Sequence, residues 1–202
     1  MHSMKNIAVT LLLMLMIGIV SHAEESTMPA TKTEKATLAG GCYWCIEAVF
    51  QRIPGVVHVT SGFTGGYKHQ PTYRQVTTGE TGHAEAVEIE FDPARITFDK
   101  ILDAFWQAHD PTHLNRQGND VGPQYRSAIF YHSEEQKKIA EAAIQQLTAS
   151  GKYHGPIVTQ IVPATTFYPA ADEHQDYYNR NSKLPYCRFV IQPKLEKMGF
   201  EK

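Results

Sequence analysis

The chain has 202 residues, 42% hydrophobic and 20% charged, which is ordinary for a globular protein and enough for one sizeable core. Nineteen basic and 21 acidic residues leave a formal net charge of -2 without any basic block or stripe, so no nucleic-acid partner is expected. One folded domain is expected, and there is no internal repeat.

The chain opens on "MHSMKNIAVTLLLMLMIGIVSHAEE": Lys5, an apolar run from Ile7 to Val20, then Ser21-His22-Ala23. The run is short for a membrane span and ends on a small-x-small site, so residues 1–23 read as a secretory signal peptide cut after Ala23. Residues 24–35, polar and aperiodic, read as a flexible leader, and the domain as residues 36–202. An exported, periplasmic protein is expected, with no stable membrane insertion after cleavage. Export favours disulfides, yet Cys42, Cys45 and Cys187 are an odd count in a domain large enough not to need staples, which raises redox chemistry.

"KATLAGG" reads as a strand ending in two glycines, and "CYWCIEAVFQRIPG" as an amphipathic helix with Trp44, Cys45, Ala48, Val49 and Arg52 near one side, closed by Pro54-Gly55. Cys42 falls at the helix N-terminus, where unpaired N–H groups and the dipole favour an anion, so its thiol pKa is expected to fall. "VVHVTSGFTGG" reads as a strand and "YKHQPTYRQVTTGETG" as a loop with one helical turn. "HAEAVEIEFDP" alternates, setting Glu85 in line with His83, Val87, Ile89 and Phe91. A carboxyl there would be desolvated, could stay protonated near neutrality and could give a proton to a departing oxygen; the alternative is a strand-edge Glu whose head reaches water.

"TFDKILDAFWQAHDP" gives a helix from about Asp99 to His109, and "HLNRQGNDVGPQYR" a polar loop crowded with hydrogen-bonding side chains. "SAIFYH" reads as a strand, then a helix capped by Ser133 and Gly151, then the strand "PIVTQIVPA". "YPAADEHQDYYNRN" looks like a short helix, and "CRFVIQPKLEKMGF" like a last strand with a helical end. The elements intermix without a regular β-α repeat, so the expected class is α+β: a two-layer α/β sandwich with a mixed sheet and a ferredoxin-like core, long ordered loops and a C-terminal tail.

Tyr73, Tyr125, Tyr177 and Tyr178 are candidate hydrogen-bond donors, although tyrosines are mostly packing. His109 and His113 have a ligand-like spacing, but Pro111 breaks the helix between them, and no metal site is expected. The C-x-x-C pair lacks the second half of a zinc pattern.

Taken in order, "GGCYWCIEAVF", "SGFTGGY", "PTYRQV", "TGHAEAVEIEFDP", "HDPTHLNRQGNDVGPQYRSAIFY", "FYPA" and "HQDYY" resemble the peptide methionine sulfoxide reductase A family from about Ala36 to Pro193. The resemblance implies that Cys42 is the nucleophile, with Tyr43 where the family usually has Phe, and that Tyr43 and Trp44 cage the substrate methyl group. It implies that Glu85 is the acid toward the sulfoxide oxygen, that Tyr73 and Tyr125 bond the same oxygen, that Asp120 holds the substrate backbone and that His174 lines the pocket. Reduction of the S epimer of free or protein-bound methionine sulfoxide would leave Cys42 as a sulfenic acid, resolved to a disulfide. Many members have Gly at the position of Cys45, and a subgroup uses the C-x-x-C pair. Cys45 is therefore expected to resolve first, with Cys187 for recycling or in reserve. No cofactor is implied in the domain; an external, thioredoxin-like dithiol restores the enzyme, and a monomer is expected. The rival readings are an exported thioredoxin-like dithiol oxidoreductase and a zinc-stabilised binding module.

Overall fold

The computed structural model describes residues 32–201; the expected signal peptide lies outside them, as does most of the leader, whose last two residues already belong to a strand. The order is β1 (Glu34–Gly40), α1 (Tyr43–Phe50), β2 (Val56–Thr64), α2 (Tyr73–Val76), β3 (Ala84–Phe91), α3 (Phe98–Ala108), β4 (Arg116–Gln117), β5 (Asp120–Val121), β6 (Ser127–Tyr131), α4 (Glu134–Ala149), β7 (Gln160–Pro163), β8 (Tyr168–Pro169), α5 (Tyr177–Asn181) and α6 (Gln192–Lys197). The main sheet runs β7-β6-β1-β3-β2-β8, antiparallel except for the parallel pair β6–β7. Its four central strands form two interlocked β-α-β units, β1-α1-β2 and β3-α3-β6, which is the ferredoxin-like arrangement within a mixed sheet.

β3 lies between β1 and β2, and its alternation sorts the sheet faces. Val87, Ile89 and Phe91 join the main core with α1 and α3, while Ala84 and Ala86 turn to the other face, where Ala39, Ala128 and Phe130 are covered by Val162, Ala164 and Phe167. Small residues there let the 162–167 segment lie close on the sheet. No helix among the described residues is long and apolar enough to cross a membrane.

Several local features differ from the pattern in the sequence. α1 is not amphipathic: every residue from Tyr43 to Phe50 is buried except the half-buried Trp44, because the sheet and α3 pack it on one side and the C-terminal segment on the other. It stops at Phe50, so Arg52 is outside it and hydrogen-bonds Ala48, Asn179 and Glu201 instead. The polar loop after α3 contains regular structure, the β4–β5 ladder and a 3-10 turn at Pro123–Tyr125.

The expected C-terminal strand is a π-helical turn, Cys187–Ile191, running into α6. Cys187 and Ile191 are buried four positions apart while Arg188, Phe189 and Val190 between them face out, a helical and not a two-residue period. Pro193 is tolerated in the first turn of α6, where no N–H is needed. The "DEHQDYYNRN" helix is likewise broken, into a 3-10 turn Asp172–His174 and α5, with Asp176 between them at φ 53°.

Candidate active site

Two glycines set the entry to α1. A Cβ at Gly40 would come within 2.8 Å of Phe105, and Gly41 has φ +90° with Gln117 only 2.6 Å from where its Cβ would stand. The chain can therefore turn hard out of β1, and Cys42 becomes the N-cap of α1 with extended backbone (φ -61°, ψ 127°).

Cys42 is 6% exposed and Glu85, reaching up from β3, is 1% exposed. The first helical N–H, that of Tyr43, donates to Glu85 Oε2 at 3.1 Å. That contact joins the carboxyl to the backbone beside the cysteine. Burial raises the Glu85 pKa to about 8, the Tyr43 N–H pulls the other way, and Asp120 and Cys45 push up again. Glu85 is thus a protonated acid at neutral pH, as its place on the apolar strand face implies.

The Cys42 thiol does not follow the expectation from its helix position. Burial pushes it well above its ordinary value, and the neighbouring Cys45 and Glu85 push in the same direction. A helix N-terminus contributes on the order of 0.3–1 kcal/mol to an anion, and the Cys42 side chain makes no capping hydrogen bond to the helix. Desolvation of a buried thiolate outweighs that contribution. Cys45, one turn on, is the thiol held low: its hydrogen bond with Cys42 lowers it against burial, and Lys194 adds to the effect.

Both thiols line a cleft of about 270 Å³ with Asp120, Tyr186, Phe189 and Lys194. The Tyr186 hydroxyl lies 3.7 Å from Cys45 Sγ and donates to Asp120 Oδ2 at 2.8 Å, so the C-terminal segment closes the cleft by a side-chain bridge. Cys187, next in the chain, is fully buried and does not line the cleft; the thiol that bears on its ionisation is Cys45. All three cysteines are free thiols.

Aromatic rings form the rest of the wall. Trp44 stacks on Tyr177 with centroids 3.6 Å apart and planes 6° from parallel, and lies 5.6 Å from the His174 ring at 15°. Tyr73 sits 4.4 Å from His174 and 6.4 Å from both Tyr43 and Trp44. Burial lifts the Tyr73 hydroxyl to about 12 and pushes Tyr125 up too, with the Glu85 charge the next contribution in both. Both phenols therefore stay protonated donors beside the carboxyl. Tyr43 is 1% exposed and its hydroxyl, like Trp44 Nε1 and His174 Nδ1, is buried without a hydrogen-bond partner. Its hydroxyl lies inside the packing.

Cys42, Cys45, Glu85, Tyr73, Tyr125, Tyr43, Trp44, Asp120 and His174 are thus gathered around one point, while Cys187 lies behind it. Tyr178 is elsewhere, donating to Glu201 beneath the Arg52 guanidinium. His109 is buried with one ring nitrogen on the Phe105 carbonyl and the other on Ser127, and burial drops it to about 4, whereas His113 is exposed. Among the described residues no three His, Cys, Asp or Glu side chains gather as a metal site.

Two participants carry no motif in the sequence. Tyr186 is hidden beside Cys187 in a stretch of strand-like composition. Glu47, 1% exposed on α1, accepts the backbone N–H groups of Asp176 and Tyr177 at 2.9 and 3.2 Å. A carboxylate inside the apolar run "CIEAVF" is its only signal.

The family model described as peptide methionine sulfoxide reductase matches residues 34–202. A peptide methionine sulfoxide reductase MsrA of Thermus thermophilus is 55% identical over 164 residues, 81% of this chain and 92% of the relative. Among solved structures, methionine sulfoxide reductase A of Corynebacterium diphtheriae superposes with a TM-score of 0.68 at 40% identity, covering 79% of this chain and 80% of that one. Mxr1 from Saccharomyces cerevisiae in complex with Trx2 does so with a TM-score of 0.51 at 25% identity, covering 76% and 91%.

Proposed function

The chain belongs to the peptide methionine sulfoxide reductase family, and on that premise we propose how its own residues carry the reduction of methionine sulfoxide. Cys42 is the nucleophile and Glu85 the acid. The observation that carries this assignment is the buried Glu85 carboxyl bonded to the N–H that follows Cys42.

Sulfoxide enters between Trp44 and Tyr73 with its oxygen toward Glu85, Tyr73 and Tyr125. Cys42 sulfur attacks the substrate sulfur; Glu85 gives its proton to the oxygen, and the thiol proton of Cys42 restores Glu85. The oxygen leaves on Cys42 as a sulfenic acid, methionine departs, and two electrons have passed from cysteine to substrate. Because burial keeps Cys42 a thiol at rest, its nucleophilic form arises only when a proton acceptor is present in the site. Tyr43 and Trp44 hold the methyl group, His174 lines the same wall, and Asp120 takes the substrate backbone once Tyr186 releases it. The S epimer is the one turned over.

Cys45 resolves the sulfenic acid, releasing water and forming the Cys42–Cys45 disulfide. The two thiols line one cleft, and residues three apart on a helix stand about 5–6 Å apart at Cβ, within reach of a disulfide after a small shift. Cys187 relays or stands in reserve. A thioredoxin-like dithiol regenerates the enzyme, a reading supported by the solved complex of the yeast relative with Trx2. The composition of residues 1–23 supports export to the periplasm.

The purified protein, given each sulfur epimer of a blocked methionine sulfoxide with excess dithiothreitol, should consume the S epimer alone. Consumption of the R epimer, or undiminished turnover by Cys42→Ser, would overturn the assignment.

A further inference from the structure

Glu47 has no part in the chemistry, yet it is as buried as Glu85 and fully engaged. Its two oxygens accept consecutive backbone N–H groups, Asp176 at 2.9 Å and Tyr177 at 3.2 Å. Asp176 is held at φ 53°, a left-handed conformation that a non-glycine residue adopts only where neighbouring contacts fix it. The two rings that flank these amides, His174 and Tyr177, are the rings that lie along Trp44.

A second anchor ties the same segment to the sheet. The Gln175 side chain receives the Ser61 N–H and donates to the carbonyls of Ser61 and Ala170, all at 2.9 Å. That anchor fixes the segment to β2 and says nothing about α1. Glu47 supplies the other tie, and it is placed on α1 three residues after Trp44, on the same side of the helix. Cys42, Trp44 and Glu47 therefore belong to one rigid body, and the aromatic wall is registered to it through Glu47.

We propose that Glu47 is a positioning residue for substrate binding: it locks the His174–Tyr177 segment to the helix of the nucleophile, so that Tyr177 stays stacked behind Trp44 and the methyl-binding surface keeps a fixed distance from Cys42. The proposal rests on the reading in which Trp44 contacts the substrate. Glu47→Gln keeps the shape and leaves only one good acceptor for two N–H groups. Released from one of them, the segment widens the wall without touching the thiols or Glu85.

The test is steady-state kinetics of the full chain with a blocked S-methionine sulfoxide and dithiothreitol, on Trp44→Leu, Tyr177→Leu, Glu47→Gln and the Glu47→Gln/Tyr177→Leu double variant, each checked by thermal melting. Glu47→Gln should raise KM roughly tenfold, the size of one lost hydrogen bond to a charged group, with kcat changed by less than about twofold. The double variant should be no worse than Tyr177→Leu alone, since both act on one contact. A fall in kcat at unchanged KM, or effects that multiply in the double variant, would overturn the proposal. If Glu47→Gln melts below the assay temperature, Glu47→Asp, which keeps the acceptors and withdraws them by one methylene, should show an intermediate KM; a wild-type KM in that variant would overturn it equally. Trp44→Leu separates the two layers: an unchanged KM there defeats the cage reading itself, whereas a raised KM beside a normal Glu47→Gln defeats only the role of Glu47.

Discussion

Glu85 and Glu47 are hidden to the same degree, each 1% exposed, and burial raises the pKa of both. What separates them is the company they keep. Glu85 accepts one backbone N–H and has acceptor capacity left over beside a thiol, while Glu47 spends both oxygens on two N–H groups of a neighbouring segment. A buried carboxyl with one oxygen free beside a thiol is placed to give a proton; one with both oxygens tied to backbone N–H groups is placed as a strut. The lesson is that burial alone does not mark a catalytic acid; what the two carboxyl oxygens face separates these two.

The comparison can be broken at its reactive end first. Cys42→Ser should lower kcat by on the order of 10³-fold or more, because a serine hydroxyl is a far weaker nucleophile toward sulfur than a thiol. Glu85→Gln should lower kcat by roughly 10²–10⁴-fold, the usual worth of a positioned acid. In the wild type, activity should decline as pH rises through about 8, where Glu85 loses its proton, and this limb should be missing from the residual activity of the Gln variant.

Stability should sharpen the contrast with opposite signs. The Glu85 pKa is about 8 in the fold against an ordinary 4.5, so its protonated form favours the native state fully below about 4.5, and that contribution is lost as pH rises to about 8. By pH 8 the loss is roughly 4 kcal/mol. Glu85→Gln should therefore raise the melting temperature at pH 8 relative to wild type while removing activity. Glu47→Ala should lower it, since two buried N–H groups are left unmet at about 1–3 kcal/mol each. A destabilised Glu85→Gln at pH 8 would show that the carboxyl is a strut after all.

Smaller effects follow at the thiols and at the ring beside them. Iodoacetamide should label Cys187 about tenfold more slowly at pH 7 than a free thiol, because it is fully buried and its pKa is raised. Peptide mapping after oxidation by substrate should find Cys42 joined to Cys45. Tyr43→Phe should be the mildest change: it removes a buried hydroxyl that has no partner, so stability should rise by about 1 kcal/mol with kcat/KM within about twofold of wild type.

Much of this is legible in the chain. The two-residue alternation of "HAEAVEIEF" places Glu85 on the core face, and the glycine pair before Cys42 locates a helix start, because both signals are local. The residues that escape depend on what lies across from them. α1 looks amphipathic in sequence because a sequence does not tell which tertiary neighbours cover its second side. The direction of the Cys42 pKa inverts because the sequence shows the helix terminus and not the burial of the thiol. The tail after Tyr186 resembles a strand because five residues of "CRFVI" have β-forming composition, and only the burial of Cys187 and Ile191 reveals the helical period.

The strand order has a consequence for synthesis. β2 and β3 meet early and locally, but β1, whose Leu38 is opposite Val87 on one side and Ile129 on the other, keeps an open hydrogen-bonding edge until β6 has emerged. A ribosome-bound or proteolysed fragment ending before Ser127 would present that apolar edge to other chains, so nascent molecules are most prone to aggregate in the interval while α3 and the polar loop are being made. A holdase acting on this protein has its work concentrated there.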